Sequence, residues 1–353
     1  MMPQKIKTLF IGPFSPPNSG DGVKNDYLRD GFEAENINNI IWFDTIKRSG
    51  SKFNHYFKLI KLMVSSRQLI LSLNKYGRYT IIPIFFLFSL FSRKRAVLYV
   101  IGGTFDQQLY FLSPLMRKIF VRTVNRLDGV FAESKALMDG LQNAGIRNVT
   151  MIYNPRKDTG TRWELTDDNR AKAVFISRVY EDKGLNVFMD AVEKINAKGT
   201  HLELDIYGPV DSEYEAYLNQ RVAESGGTIT YKGVLKPDEV QNILPQYHFL
   251  GLPTFHFGEG LPGILVESGM AGMPIIITRF NALPEYFTHN ESALFIEPRD
   301  VLSLENEILR LLNDDELAST LSKGILKTVE PFKVENVIKQ SLEYMETRGW
   351  IFN

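Results

Sequence analysis

Glu259 and Glu267 stand eight positions apart in the stretch Phe257-Gly258-Glu259-Gly260-Leu261-Pro262-Gly263-Ile264-Leu265-Val266-Glu267-Ser268-Gly269-Met270. The Gly/Pro-rich start reads as a turn and the apolar run after it as a helix. One carboxylate then lies at the mouth of the helix and the other on its side. A helix start also presents backbone N–H groups that suit an anion. Carboxylates accept hydrogen bonds from sugar hydroxyls, so the layout fits a nucleotide-sugar site. The same pair also fits an acid/base couple of the kind a hydrolase uses. Glu267 lies among Ile264, Leu265, Val266 and Met270. A carboxylate in so apolar a helix needs a partner, and ribose hydroxyls are suitable donors.

A second group is Ser177-Arg178-Val179-Tyr180-Glu181-Asp182-Lys183-Gly184. It follows an apolar strand and precedes a helix. Arginine grips phosphate in two-point fashion and lysine adds a compact charge. Together they suit a diphosphate leaving group on which negative charge develops. Alone, such a pair is equally a solvated loop. The third group is Gly20-Asp21-Gly22, in the expected first βα loop, where glycines let backbone approach a ligand; alone it is equally an ordinary turn. No GxGxxG follows the first strand, which argues against a dinucleotide oxidoreductase, and no GxxxxGK[ST] is present.

These groups need a scaffold that brings strand ends together. In the first half, strands are expected at 5–12, 39–43, 96–101, 129–132 and 149–153. Helices are expected at 23–34, 55–73 and 135–143, the last capped by Ser134. The stretch 80–84 reads as a strand and 85–91 as a helix. A polar, aperiodic linker is expected over 154–169. A second alternating series follows, with strands at 173–177, 202–207, 228–232, 249–253, 274–278 and 293–296. Its helices are 184–197, 213–224, 237–244, 263–271 and 302–312, and an amphipathic helix over 334–347 closes the chain. Strands alternating with helices imply a parallel sheet covered on both faces. Two such units in tandem imply two doubly wound, Rossmann-like domains facing across a cleft. Ligands are expected there, at the carboxyl ends of the strands.

The 353 residues suffice for two domains, with 44% hydrophobic and 23% charged residues. The chain has no cysteine, hence no disulfide or thiolate chemistry, which fits a reducing cytoplasm. The polar start before the first strand is too short for a signal peptide. The longest apolar run, 81–91, is too short to span a bilayer. The net charge of zero hides an asymmetry: residues 1–155 hold 21 Lys/Arg against 10 Asp/Glu. From Thr45 to Phe105 there is no acidic residue, while Lys47, Arg48, Lys52, Lys58, Lys61, Arg67, Lys75, Arg78, Arg93, Lys94 and Arg95 are all basic. Such polarity points to an anionic surface as partner of the first half.

The order of these elements resembles the retaining GT-B glycosyltransferases of family 4, also called glycosyltransferase group 1. The residues that carry it are Arg178 and Lys183, Glu259 and Glu267, Ile206-Tyr207-Gly208-Pro209, and Asn281-Ala282-Leu283-Pro284-Glu285. Gly20-Asp21-Gly22 resembles that family's N-terminal glycine loop. Ala132-Glu133-Ser134 through Gly145 to Tyr153-Asn154-Pro155 resembles the end of its first domain. The resemblance covers nearly the whole chain. It implies an acceptor-binding, membrane-facing domain over 1–155 and a donor-binding domain over 156–333. The helix in 334–353 would cross back to the first domain. By resemblance Arg178 and Lys183 bind the donor diphosphate, Glu259 the hydroxyls of the transferred sugar and Glu267 the ribose. Gly20, Gly22, Gly260 and Leu261 contribute to donor binding, and Tyr207, Gly208 and Val234 lie near the nucleobase. No metal or cofactor is expected. Many relatives carry a histidine after the fourth strand; here the region reads Gly102-Gly103-Thr104-Phe105-Asp106, so Asp106 is expected to serve the acceptor side. His256 is placed either near the sugar or as a loop support, and Phe257 near the sugar.

The reaction implied is sugar transfer from a nucleotide diphosphate donor, uridine ahead of guanosine, with retention at the anomeric carbon. The same-face route is favoured over double displacement, because both glutamates are assigned to binding. A helix with Lys58, Lys61 and Arg67 among Phe57, Ile60, Met63 and Leu71 could lie on an anionic bilayer, and the run 81–91 followed by basic residues adds to it. The same apolar residues could instead fill the layer that covers the sheet. The expectation is a cytoplasmic enzyme on the inner face of the membrane with a lipid-linked saccharide acceptor. A sugar-nucleotide epimerase, a phosphorylase and a non-catalytic sugar-nucleotide binder are the alternatives. Nucleic-acid binding lacks a recognised motif.

Overall fold

The computed structural model describes residues 7–15, 20–47, 51–91 and 94–352. The strand reading at Lys5 and Ile6, the chain start, and the basic residues Arg48 and Arg93 lie outside the described residues. The chain divides into two compact units, Met1–Arg156 with Phe332–Asn353, and Lys157–Pro331.

The first unit runs β1 (Thr8–Gly12), α1 (Gly20–Ala34), β2 (Ile40–Asp44), α2 (Lys52–Ser65), β3 (Gln68–Leu73), α3 (Lys75–Phe91), β4 (Arg95–Val100), α4 (Phe105–Tyr110), α5 (Pro114–Val124), β5 (Gly129–Ala132), α6 (Lys135–Asn143) and β6 (Val149–Met151). The second runs β7 (Lys172–Ile176), α7 (Leu185–Ala197), β8 (Glu203–Tyr207), α8 (Glu215–Glu224), β9 (Ile229–Gly233), α9 (Pro237–Ile243), β10 (Phe249–Leu252), α10 (Gly263–Ala271), β11 (Ile275–Thr278), α11 (Leu283–Tyr286), β12 (Leu294–Ile296), α12 (Val301–Leu312) and α13 (Asp315–Val329). The closing α14 (Val334–Thr347) belongs to the first unit.

Each unit is a six-stranded parallel sheet. The orders are β2-β1-β3-β4-β5-β6 and β12-β11-β10-β7-β8-β9. The doubly wound α/β class expected from the alternation is present in both. Strand side chains alternate between two cores in the first unit, as a pleat requires. Leu9, Leu71 and Leu98 face a layer made by α2 to α6. Phe10, Ile70 and Val97 face α1 and α14, where they meet Phe32, Val337 and Ile338. Each fully buried aliphatic or phenyl side chain contributes about 2 kcal/mol.

The structure corrects three local expectations. Residues 55–73 are not one helix: α2 ends at Ser65, the next residue Ser66 is extended at φ −94°, ψ 143°, and β3 follows as six buried residues. A continuous apolar run satisfies helix and strand periodicity alike. Residues 80–91 are not a strand and a helix, because α3 runs from Lys75 through Pro83, with Ile81, Ile82 and Phe85 buried. Gly20-Asp21-Gly22 is not a loop; it forms the first turn of α1. Helices α4, α5, α11 and α13 were not anticipated, although Ser113 and Asp314 cap α5 and α13 as their residue types favour.

Candidate active site

In the second unit the chemistry-bearing residues gather where β7, β8 and β10 end. Beyond β7 the chain keeps its bonding to the segment that follows β8. Ser177 N donates to Tyr207 O at 3.1 Å and Val179 N to Pro209 O at 2.9 Å. Gly208 permits this zipper. It sits at φ 134°, and a Cβ there would come 1.8 Å from Ser177 O. Arg178 is thereby fixed on the rim with its side chain exposed. It lines a depression of about 400 Å³ with Val179, Tyr180, Pro209, Val210, Asp211 and His256.

Next comes a short 3-10 turn, Glu181–Lys183, closed by Gly184 at φ 74°. A Cβ on Gly184 would come 2.0 Å from Pro253 O. That close approach sets Lys183 against the loop after β10, where it pairs directly with Glu259, 76 positions away in sequence. The two side chains are only 7% and 12% exposed, so each neutralises a charge the other could not carry alone in so dry a place. Thr254 Oγ1 donates to the same Glu259 Oε2 at 3.0 Å. Glu259 Oε1 has no protein partner among the described residues.

The loop that carries Glu259 is itself braced. Thr278 at the end of β11 donates to Thr254 O, and Asn281 Nδ2 donates to Phe257 O at 3.0 Å. This gives the Asn281 segment a structural task. Tyr180, which the sequence reading quoted without a role, lies between both cations: Arg178 is 5.4 Å and Lys183 5.8 Å from its ring centroid. Burial raises the pKa of its hydroxyl. An aromatic between Arg and Lys in one loop was the available signal. His256 meets Tyr180 edge-on at 5.7 Å, with Nδ1 3.5 Å from Asp182 Oδ2.

The structure thus brings Arg178, Lys183 and Glu259 together. Gly260 and Leu261 are half-buried in the turn before α10, and Glu267 is half-buried in the second turn of that helix, whose Leu265, Val266 and Ser268–Ala271 are buried. The Tyr207 hydroxyl is 3.0 Å from that of Tyr247, which donates to Asp205 at 2.8 Å. Val234, beyond β9, is exposed.

The first unit holds a charge group that sequence reasoning missed. Lys24 is buried on the inward face of α1 and donates to Val100 O at 3.2 Å. Arg78, 1% exposed, donates to Leu73 O and Ile101 O, both at 2.8 Å, and to Gln108 at 2.9 Å, while its guanidinium stacks on Phe105. Among the described residues neither cation has a carboxylate within ion-pair distance. Burial pushes Lys24 down to about 8, opposed by Glu133 and Asp21, and Arg78 down to about 10. Burial also raises the Asp21 pKa, opposed by Lys24 and Arg78. The signal was there: Lys24 stands four residues before Leu28 and eight before Phe32, on the buried stripe of α1. Gly20 and Gly22 flank Asp21 in that first turn. Asp106 turns instead to α6, where a Cβ on Gly140 would come 2.4 Å from its Oδ2. No group of three His, Asp or Glu side chains among the described residues is placed to hold a metal ion.

Residues 170–314 match the family model of glycosyl transferases group 1. The chain is similar to 2-deoxystreptamine N-acetyl-D-glucosaminyltransferase of Niallia circulans, 28% identical over 42% of this chain and 38% of that one. It is also similar to the capsular polysaccharide biosynthesis glycosyltransferase CapM of Staphylococcus aureus, 22% identical over 48% of this chain and 44% of that one. The chain thus matches less than half the length of these two relatives. Among solved structures, HepE of Anabaena in complex with UDP and glucose superposes with a TM-score of 0.72, covering 97% of this chain and 100% of that one at 14% identity. That likeness is one of fold, the two-unit GT-B fold expected from the sequence.

Proposed function

We propose that this protein is a retaining glycosyltransferase that moves a sugar from a UDP-sugar to a lipid-linked saccharide in cell-surface polysaccharide biosynthesis. The observation that carries the reading is the Arg178–Tyr180–Lys183–Glu259 group at the strand ends of the unit that contains the group 1 match. The UDP in the HepE complex supports the choice of nucleotide, and the capsular relative supports the pathway class.

In this reading the diphosphate lies along Arg178 and Lys183. Arg178, exposed on the rim, is free to close on phosphate oxygens in two-point fashion. Lys183 is already held by Glu259 and Tyr180, so it offers a remaining N–H without reorganising. Glu259 uses Oε2 for Lys183 and Thr254 and keeps Oε1 for a sugar hydroxyl. Backbone N–H groups of Gly260, Leu261 and the α10 start face developing negative charge, and Glu267 takes the ribose. As the bond from the anomeric carbon to the diphosphate oxygen breaks, the cations stabilise the leaving group. The departing phosphate oxygen takes the proton of the acceptor hydroxyl, which bonds to the same face of the sugar. In this reading Asp21, in the first turn of α1, serves the acceptor side, since Asp106 is turned to Gly140 on α6.

The test is transfer to lipid-linked acceptors from a panel of nucleotide sugars, with the product anomer read by NMR. Transfer from a UDP-sugar with retained configuration is expected. Inversion would overturn the same-face route, and transfer from guanosine donors alone would overturn the nucleotide choice.

A further inference from the structure

In the first unit the chain passes from β1 to β2 on one side, then crosses back to β3 on the other. Open α/β sheets bind ligands beyond the strand ends at such a reversal. A cavity of about 230 Å³ lies there. Pro13 after β1, Thr45 after β2 and Asn74 after β3 line it, and residues of α2 and α3 complete its wall. One of these is His55 of α2, which is only 6% exposed. Its ring packs on that of Phe43, with centroids 4.6 Å apart. Its Nε2 is buried and has no hydrogen-bond partner among the described residues.

A buried ring nitrogen without a partner costs about 1–3 kcal/mol, so a ligand that supplies one gains affinity. Two more polar groups of the wall are unengaged by the described residues. One is the Thr45 hydroxyl; the other is Asn74 Nδ2, whose Oδ1 already accepts from Gly77 N at 3.1 Å. Between them the wall is aromatic, with Phe43 buried and Tyr56 and Tyr76 exposed at the mouth. Among the described residues no Asp, Glu, Lys or Arg lines the cavity. That argues against phosphate, carboxylate or amine ligands, which need a counter-charge when taken out of water. A neutral pyranose matches instead: it has an apolar C–H face for the aromatic rings and a rim of hydroxyls for His55, Thr45 and Asn74. The volume is below the roughly 300–1,000 Å³ of clefts that hold drug-sized ligands, so one ring fits rather than a chain. We propose that this cavity binds one neutral sugar ring through His55, Thr45 and Asn74, and so selects an acceptor that carries an uncharged sugar. The binding site stands on the first unit alone; only its assignment to the acceptor rests on the transfer reaction proposed above.

The test is saturation-transfer NMR of the full chain with methyl glucoside, methyl galactoside and methyl N-acetylglucosaminide. Glucuronate, glucosamine and adenosine are compared, and UDP is kept present to occupy the donor nucleotide site. Binding of at least one neutral glycoside is expected. His55→Phe keeps the ring contact with Phe43 but removes the nitrogens, and should weaken binding about fivefold or more. Thr45→Val, at a half-exposed position, should weaken it about threefold with urea unfolding unchanged, and decides the matter alone if His55→Phe does not fold. The charged sugars should bind at least about tenfold more weakly than the neutral glycoside. No signal from any neutral glycoside overturns the proposal, as does a signal that the folded variants leave unchanged. Tighter binding of adenosine than of every glycoside overturns the sugar assignment. A signal lost in the variants with the acceptor KM unchanged upholds the sugar site and overturns its place in transfer. A parent that binds the glycoside but transfers no sugar upholds the site and contradicts the transfer reaction.

Discussion

Each unit buries a lysine just after its first strand, and the two lysines are neutralised in opposite ways. Lys183, in the turn after β7, is paired directly with Glu259 and carries a hydroxyl-braced carboxylate beside it. Lys24, in α1 after β1, donates to a backbone carbonyl and feels Glu133 and Asp21 only at longer range. A direct pair keeps both charges in place and preorganises them. A lysine held by a carbonyl dipole, with carboxylates only at longer range, loses part of its preference for the proton, because desolvation is offset only in part. The second unit therefore presents a fixed charge pattern, whereas the first keeps a cation near its titration point.

The strongest way to break this contrast is Glu259→Ala. It leaves Lys183 buried without its counter-charge, and the second unit should lose about 3 kcal/mol, read by urea unfolding. An unchanged midpoint would show that Lys183 does not depend on the pair. Gly208→Ala attacks the frame rather than the charges. A Cβ at φ 134° driven into Ser177 O should cost about 2 kcal/mol and displace Arg178. The first unit, monitored by amide hydrogen exchange in β1, β3 and β4, should keep its stability.

The smallest effect tests the other side. Lys24 has a folded pKa of about 8 against an ordinary value near 10.5. Between those values the unfolded chain binds the proton and the folded chain does not, so stability rises with pH across that window and its cost is felt below it. The slope should approach about 1.4 kcal/mol per pH unit. Lys24→Met should flatten it and leave the protein at least as stable at pH 7. A slope that persists in the variant would place the titrating group elsewhere.

The sequence was most readable where chemistry and punctuation coincide. Helix α10 was delimited by Pro262 before it and Gly272, at φ 78°, after it, and each strand of the second unit fell within a residue of its expected ends. The first unit was harder because its apolar residues serve two purposes. Phe57 and Ile60 face outward while Leu59 and Met63 face the sheet, and β3 follows with no polar break beyond Ser65-Ser66-Arg67. Pro83, placed within a strand by the sequence reading, is accommodated within α3. Arg178, Lys183 and Glu259 were legible as residues, but their convergence was not. The pairing of Lys183 with Glu259 depends on Gly184 approaching Pro253, a tertiary contact with no local trace. Because of that pairing, replacing Lys183 should disturb stability as well as transfer, whereas replacing Arg178, exposed on the rim, should affect function alone.

The donor site rests on Arg178 gripping a diphosphate, and calorimetric titration of UDP into the parent and Arg178→Ala proteins tests it most directly. Binding to the parent, weakened by about ten- to hundredfold in the variant with unfolding unchanged, is the predicted result. Equal affinity in the two proteins would contradict it.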